Sequence, residues 1–226
     1  MIYLLSTIFV LAVLYVVYKE KINENEMSFD KDLSPIIARL PENKSVCKEI
    51  LRQVNSSVKV EYNPYEEAKG SFYNHRKNKI VVRKNKDLGD ISRIVHIAHE
   101  CVHTTQKRIF LNMNFIFSNI QLLYFLMLII LRFFNIPNNI IELLLFIQIL
   151  IVLMTFFVKV VIESDACYRS VRIAEKYLKD KLDENTLNKY VSKLNSNIIK
   201  TVPLYYYSML SQGLAMTIII RFIYLV

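Results

Sequence analysis

Apolar residues in this chain fall in blocks rather than being spread along it. Residues 1–18 carry no charge, residues 110–131 carry none, residues 138–158 hold only Glu142, and residues 203–220 are again uncharged. Each block approaches the roughly 20 residues that a helix needs to cross a bilayer. The pattern predicts four transmembrane helices. Residues 1–18 have neither a basic start nor a small-residue cleavage site and stay apolar up to Lys19, so an uncleaved anchor is expected rather than a secretion signal. Pro137, within Asn135–Asn139, marks a short hairpin loop between the second and third spans, and Pro203 is expected to open the last one.

Between these blocks the pattern changes. Residues 19–34 are polar and read as a connector. An apolar stripe through Val46, Cys47, Ile50, Leu51 and Val54 predicts a helix from about Asn43 to Val54. Residues 58–62 alternate as a strand does. Gly70–Tyr73 and Lys79–Arg83, joined by the turn-like Asn74–Asn78, read as a hairpin. From Asp90 to Phe134 there is no Gly or Pro, so a helix is expected to begin near Asp90 or Ser92 as N-cap and to lead into the second span. Residues 159–180 continue the third span as an amphipathic helix, and residues 183–200 form another. The fold class expected is therefore mainly α and membrane-embedded, with a small α+β part. Its divisions are an anchor at 1–18, a soluble part at 19–109, a transmembrane hairpin at 110–158, a helical segment at 159–202 and a closing span at 203–226.

Composition agrees with this division. At 53% hydrophobic with only three glycines, and with mean hydropathy +0.27, the chain is too apolar for an ordinary soluble domain. The net charge of +9 is one-sided. Of the 29 Lys and Arg residues, 18 lie in 19–109 and 9 in 159–202, leaving only Arg132 and Arg221 for the other side. That bias places the basic side in the cytoplasm, near anionic lipid head groups. No basic motif with interleaved aromatics accompanies it, so nucleic acid is not an expected partner. Three widely spaced cysteines, Cys47, Cys101 and Cys167, argue against a disulfide framework and fit a reducing compartment.

The chemistry is concentrated in one place. Three of the four histidines fall within eight residues, and two of them frame a glutamate in His99-Glu100-Cys101-Val102-His103. On a helix, residues four apart share a face, so His99 and His103 can grip one zinc ion while Glu100 handles a water proton. A catalytic zinc usually has a third protein ligand. Glu163 is expected to supply it, because a carboxylate so close to hydrocarbon is costly unless paired or bound to a cation. Asp165 is the runner-up for third ligand; pointing about 200° away from Glu163 on the same helix, it is expected rather to orient a histidine or pair with a basic neighbour. His96 shares the face of His99 and His103. It is read as a neighbour of the site, with an alternative-ligand or transition-state role left open. His75 reads as a surface turn residue.

These residues resemble the bacterial neutral zinc metallopeptidases of the YugP type. The likeness rests on Tyr73-Asn74-His75-Arg76-Lys77, on the run Ala98-His99-Glu100-Cys101-Val102-His103-Thr104-Thr105-Gln106, and on Glu163-Ser164-Asp165-Ala166 with Arg169. It covers most of the chain. The family usually has Gly where Val102 stands, and a small residue at Cys167. What the resemblance implies is a multi-pass, membrane-bound, gluzincin-like peptidase of the bacterial cell membrane with His99, His103 and Glu163 as zinc ligands.

The function expected is hydrolysis of a peptide or protein substrate by a zinc-activated water with Glu100 as general base. His96, Tyr168 and Arg169 are unranked oxyanion-stabilising groups, and Lys79–Arg83 could pair with an extended substrate. The rival is a non-catalytic membrane protein whose structural or degenerate zinc site is completed by Cys101, Cys167 or His96. A purely structural H-x-x-x-H has no need of Glu100. A transporter is disfavoured by the near-absence of ionisable residues in the spans. Membrane lipids are the remaining expected partner. No protein partner can be read from the chain.

Overall fold

The computed structural model describes residues 9–19, 30–64, 70–84, 88–134 and 136–225. In chain order the elements are α1 (Phe9–Lys19), α2 (Ser34–Ala38), α3 (Asn43–Gln53), β1 (Lys59–Tyr62), β2 (Phe72–Asn74), β3 (Lys79–Val82), α4 (Arg93–His103), α5 (Arg108–Leu131), α6 (Asn138–Leu178) and α7 (Glu184–Leu225). The fold is mainly helical with one small three-stranded sheet. The chain divides into two compact units. Unit 1 comprises Met1–Lys21, Ile109–Val161 and Thr201–Val226, and unit 2 comprises Ile22–Arg108 and Ile162–Lys200.

Unit 2 is built around the sheet, whose strand order is β1-β3-β2. β3 pairs parallel with β1 and antiparallel with β2, in the register Phe72↔Val81, Tyr73↔Ile80 and Asn74↔Lys79. The hairpin turn follows from its asparagines. Asn74 Oδ1 accepts from the Lys77 amide at 3.0 Å, and Asn78 takes a positive φ of 46°. Asparagine tolerates that left-handed conformation better than most residues. β3 is central, so Lys79–Arg83 has no free edge for a substrate. The expectation of pairing there is corrected: β2 is the edge strand beside α4.

The expected amphipathic helix appears as α3, and its stripe packs against α4. Ile37, Val46, Cys47, Ile50, Ile80, Val82, Ile94, Ala98 and Cys101 form one buried cluster, closed by Val171, Ala174, Leu178 and Tyr190 from α6 and α7. Two polar groups lock it. The buried Arg93 guanidinium donates to the carbonyls of Ile37 at 2.8 Å, Leu40 at 3.2 Å and Pro41 at 2.9 Å, and to Asn43 Oδ1 at 3.1 Å. It thereby satisfies the end of α2, where backbone acceptors lack helical partners. The Tyr190 hydroxyl donates to the Ile91 carbonyl at 2.8 Å, at the entrance to α4.

Unit 1 contains α1, α5, the first half of α6 and the C-terminal part of α7. Among the described residues two helices, not four, are long and apolar enough to cross a membrane: α5 with mean hydropathy 1.9 and α6 with 2.7. Only 6% of the α5 window is buried, so its apolar side chains face outward, unlike those of a soluble core helix. The other two expected crossings are not met among the described residues. α1 is described over Phe9–Lys19, about 16 Å at 1.5 Å per residue, short of the hydrocarbon thickness. Residues 1–8 lie outside the described residues. The last block is no separate helix: α7 runs from Glu184 through Pro203 without a break. Pro203, three tyrosines, Ser208, Ser211 and Gln212 dilute its apolar run.

Three charges inside unit 1 are handled individually. Glu142 pairs with Arg221 at 2.7 Å, and Arg132 Nε donates to the Ile223 carbonyl at 2.9 Å. Gly213 permits close packing of α7 on α6: a Cβ there would fall 2.4 Å from Val152 Cγ1. Small residues serve this purpose between membrane helices.

Candidate metal centre

All of the site lies in unit 2. Ser92, one of the two residues expected there, occupies the N-cap position of α4, but its side chain makes no capping bond. Asp90 Oδ1 accepts from the Ser92 amide at 2.8 Å and from its hydroxyl at 2.7 Å, so the aspartate fixes the turn that precedes the helix. The eleven residues of α4 then divide by face. Ile94, Ile97, Ala98 and Cys101 point into the core, while His99, Glu100 and His103 gather their ligand atoms within 4.8 Å of one another.

α6 brings a fourth group to the same point. His99 Nε2 lies 3.1 Å from His103 Nε2 and 3.2 Å from Glu163 Oε2, and His103 Nε2 lies 3.9 Å from Glu163 Oε2. The circle through these three atoms has a radius of about 2.0 Å, close to the Zn–N and Zn–O bond lengths of roughly 2.0–2.2 Å. One point can therefore sit at bonding distance from all three. Two imidazole nitrogens and a carboxylate oxygen are donors that suit a divalent metal ion such as zinc. The residues present fit the metal.

The tautomer of His103 is set by its neighbours. Gln106 Nε2 donates to the Ile162 carbonyl at 2.8 Å and to Asp165 Oδ2 at 2.9 Å. A carbonyl can only accept, so the amide nitrogen must face α6 and Oε1 must face His103. Oε1 lies 2.8 Å from His103 Nδ1, which therefore carries the proton and leaves the Nε2 lone pair toward the shared point. Asp165 plays both parts expected of it. It orients His103 through Gln106, and it accepts from Arg169 at 3.1 Å. Arg169 in turn donates to Thr105 Oγ1 at 2.9 Å. Its guanidinium is thus engaged with Asp165 and Thr105.

Glu100 is held differently from His99, His103 and Glu163. The Tyr73 amide of β2 donates to Glu100 Oε2 at 2.7 Å, a bond made by an edge strand to the helix beside it. Burial pushes the carboxyl up to about 7, against the lowering effects of His103 and the Tyr73 amide, with Glu163 adding to the rise.

The other sequence candidates fall outside the cluster. His96 is exposed, with Nδ1 3.3 Å from Ser92 Oγ. His75 stays in the hairpin turn, and Tyr168 is exposed. Cys101 turns its sulfur into the core, 3.8 Å from Cys47 Sγ, with both residues fully buried and neither in a disulfide. Cys167 Sγ sits 3.9 Å from His99 Nδ1, the nitrogen facing away from the shared point. Burial first, then the charge of Glu163, pushes that thiol up to about 12, so it stays protonated. Sequence reasoning assigned no role to Gln106 or to the Tyr73 amide. A side chain one turn beyond His103 that can both donate and accept was the available signal for Gln106.

No family model matches this chain, and neither a curated protein nor a solved structure matches it.

Proposed function

We propose that this protein is a membrane-bound zinc metallopeptidase, anchored through α5 and α6, with His99, His103 and Glu163 holding the ion. The observation that carries the reading is the convergence of those three ligand atoms from two helices, with Glu100 beside them and free of the triangle. A purely structural site gives Glu100 no task. A zinc ion there supplies Lewis acidity toward a carbonyl oxygen and acidifies water. Glu100 takes the proton from the attacking water and delivers it to the leaving amine. The Tyr73 amide holds the carboxylate in place for both transfers. The substrate is a peptide or protein, and the charge bias of the chain puts the site on the cytoplasmic side of a bacterial membrane. The resemblance to YugP-type peptidases points the same way.

The rival reading, a closed structural site, needs a fourth protein ligand. Among the described residues, Cys101 faces the core, Cys167 approaches the wrong imidazole nitrogen, and His96 lies outside the cluster.

The experiment is zinc content per chain in detergent, together with cleavage of a denatured protein substrate. One zinc per chain is expected in the wild type and in Glu100→Gln, and none in His99→Ala or Glu163→Ala. Cleavage is expected in the wild type alone. Full activity in Glu100→Gln would refute the general-base role. Undiminished zinc in Glu163→Ala would refute the ligand set.

A further inference from the structure

Unit 1 contains a cavity of about 190 Å3 between α5, α6 and α7. Its wall mixes polar with apolar side chains where the surrounding helices are apolar. Ser118 and Gln121 line it from α5, Thr155 and Lys159 from α6, and Gln212 from α7. Their spacings of three and four residues put each pair on one helix face. Polar side chains at the depth of a membrane helix are costly and mark sites that are used.

The hydrogen-bonding capacity around this cavity is only partly consumed. Thr155 Oγ1 is satisfied by the Ile151 carbonyl at 2.9 Å, an intrahelical bond. Gln121 Nε2 reaches only the Met216 sulfur at 3.7 Å, a weak acceptor. Lys159 is half-buried and has no carboxylate partner among the described residues, whereas Arg221 in the same unit is paired with Glu142. One turn below Val152 on the α6 face that also carries Thr155, Gln148 is fully buried, and neither of its amide atoms has a hydrogen-bond partner among the described residues.

An uncompensated ammonium beside two carboxamides and a hydroxyl is a donor set for a tetrahedral oxyanion, with lysine acting as a point charge. The rim is apolar: Leu122 lines the cavity and is 50% exposed. We propose that this cavity binds the phosphate group of an anionic phospholipid, with Lys159 as counter-charge, Gln121 and Gln212 as neutral donors, and acyl chain lying along Leu122. Basic pockets between membrane helices recognise anionic lipid head groups in this way. The inference rests on the reading that α5 and α6 cross a bilayer.

The test uses the full chain in nanodiscs of phosphatidylglycerol and phosphatidylcholine in equal parts, followed by native mass spectrometry after release. The expected result is one phosphatidylglycerol retained per chain, no phosphatidylcholine, and at least tenfold lower retention in Lys159→Ala, with Lys159→Arg close to wild type. Gln212→Leu, at an exposed position, is expected to lower retention several-fold and carries the test if Lys159→Ala fails to fold. Equal retention of both lipids, or undiminished retention in the variants, would overturn the proposal. Thermal protection by inorganic phosphate alone, matching that by phosphatidylglycerol and lost in Lys159→Ala, would overturn the lipid assignment in favour of free phosphate. Release of wild-type protein from membranes by alkaline carbonate would refute the membrane reading itself, a result separate from any lipid count.

Discussion

Gln106 is the residue whose replacement tests the metal centre most sharply, because its three hydrogen bonds have separable consequences. Two of them, to the Ile162 carbonyl and Asp165, tie the end of α4 to α6; the third fixes the proton on His103 Nδ1. Gln106→Met keeps the length of the side chain and removes all three. The stability cost is the net worth of two hydrogen bonds, about 0.5–1.5 kcal/mol each, since the Ile162 carbonyl keeps its place in the α6 ladder and Asp165 keeps Arg169. The metal cost is distinct. Without its acceptor, His103 can rotate or carry its proton on Nε2, where no metal can bind. Loss of such a partner typically weakens metal affinity about 10- to 100-fold, or roughly 1.4–2.8 kcal/mol. Zinc affinity is measured by competition with a chelator in detergent, and the melting midpoint is measured on metal-free protein. Both should fall. A lower melting midpoint with unchanged zinc affinity would refute the argument and reduce Gln106 to a tether between helices.

Three further outcomes follow from the fold. Arg93→Met removes a buried donor shared by four acceptors, of which the Ile37 carbonyl keeps the Leu40 amide, and should destabilise unit 2 by about 3 kcal/mol, read as a lower midpoint in chemical denaturation. A Cβ at position 213 would meet both methyl groups of Val152, at 2.4 and 3.2 Å, so Gly213→Ala should lower the melting midpoint in detergent by an amount equivalent to about 1–3 kcal/mol. Unchanged melting would mean that α6 and α7 do not pack as described. Asp30 accepts from Lys193 at 2.6 Å and from the Leu33 amide at 3.0 Å, and these bonds, the lysine first, hold its carboxyl at about 2 rather than 3.8. Because the folded value is depressed, the contribution is whole above about pH 4 and disappears as the pH falls toward 2. It is worth less than about 1 kcal/mol at this solvent-screened pair. Asp30→Asn should flatten that part of the stability–pH curve.

How far the sequence reveals this protein depends on whether a feature is local. α3, the three strands and α4 are set by short-range patterning and asparagine turn chemistry, and they lie where periodicity places them. Failures come where neighbours decide. Lys79–Val82 reads as one arm of a hairpin, yet its other edge is taken by β1, from an earlier stretch of chain, so it becomes the central strand. Pro203 reads as a helix start. Its missing amide removes only one hydrogen bond, and α7 continues through it. The apolar blocks are visible as composition, but composition does not show that the last block belongs to a 42-residue helix whose first part packs in unit 2.

The same division runs through the site. His99, Glu100 and His103 are legible because one helix turn fixes their relation, and Glu163 because an acidic group directly after a long apolar block calls for a cation or partner. The rest depends on contacts between residues distant in sequence. Gln106 meets Ile162 and Asp165, and the Tyr73 amide meets Glu100 across 27 positions. The directional logic of the site resides in those contacts. An acceptor-only carbonyl on α6 orients an amide, the amide orients an imidazole, and the imidazole presents a lone pair to the point it shares with Glu163. Each link forces the next, so reversing any one of them leaves two like groups facing each other.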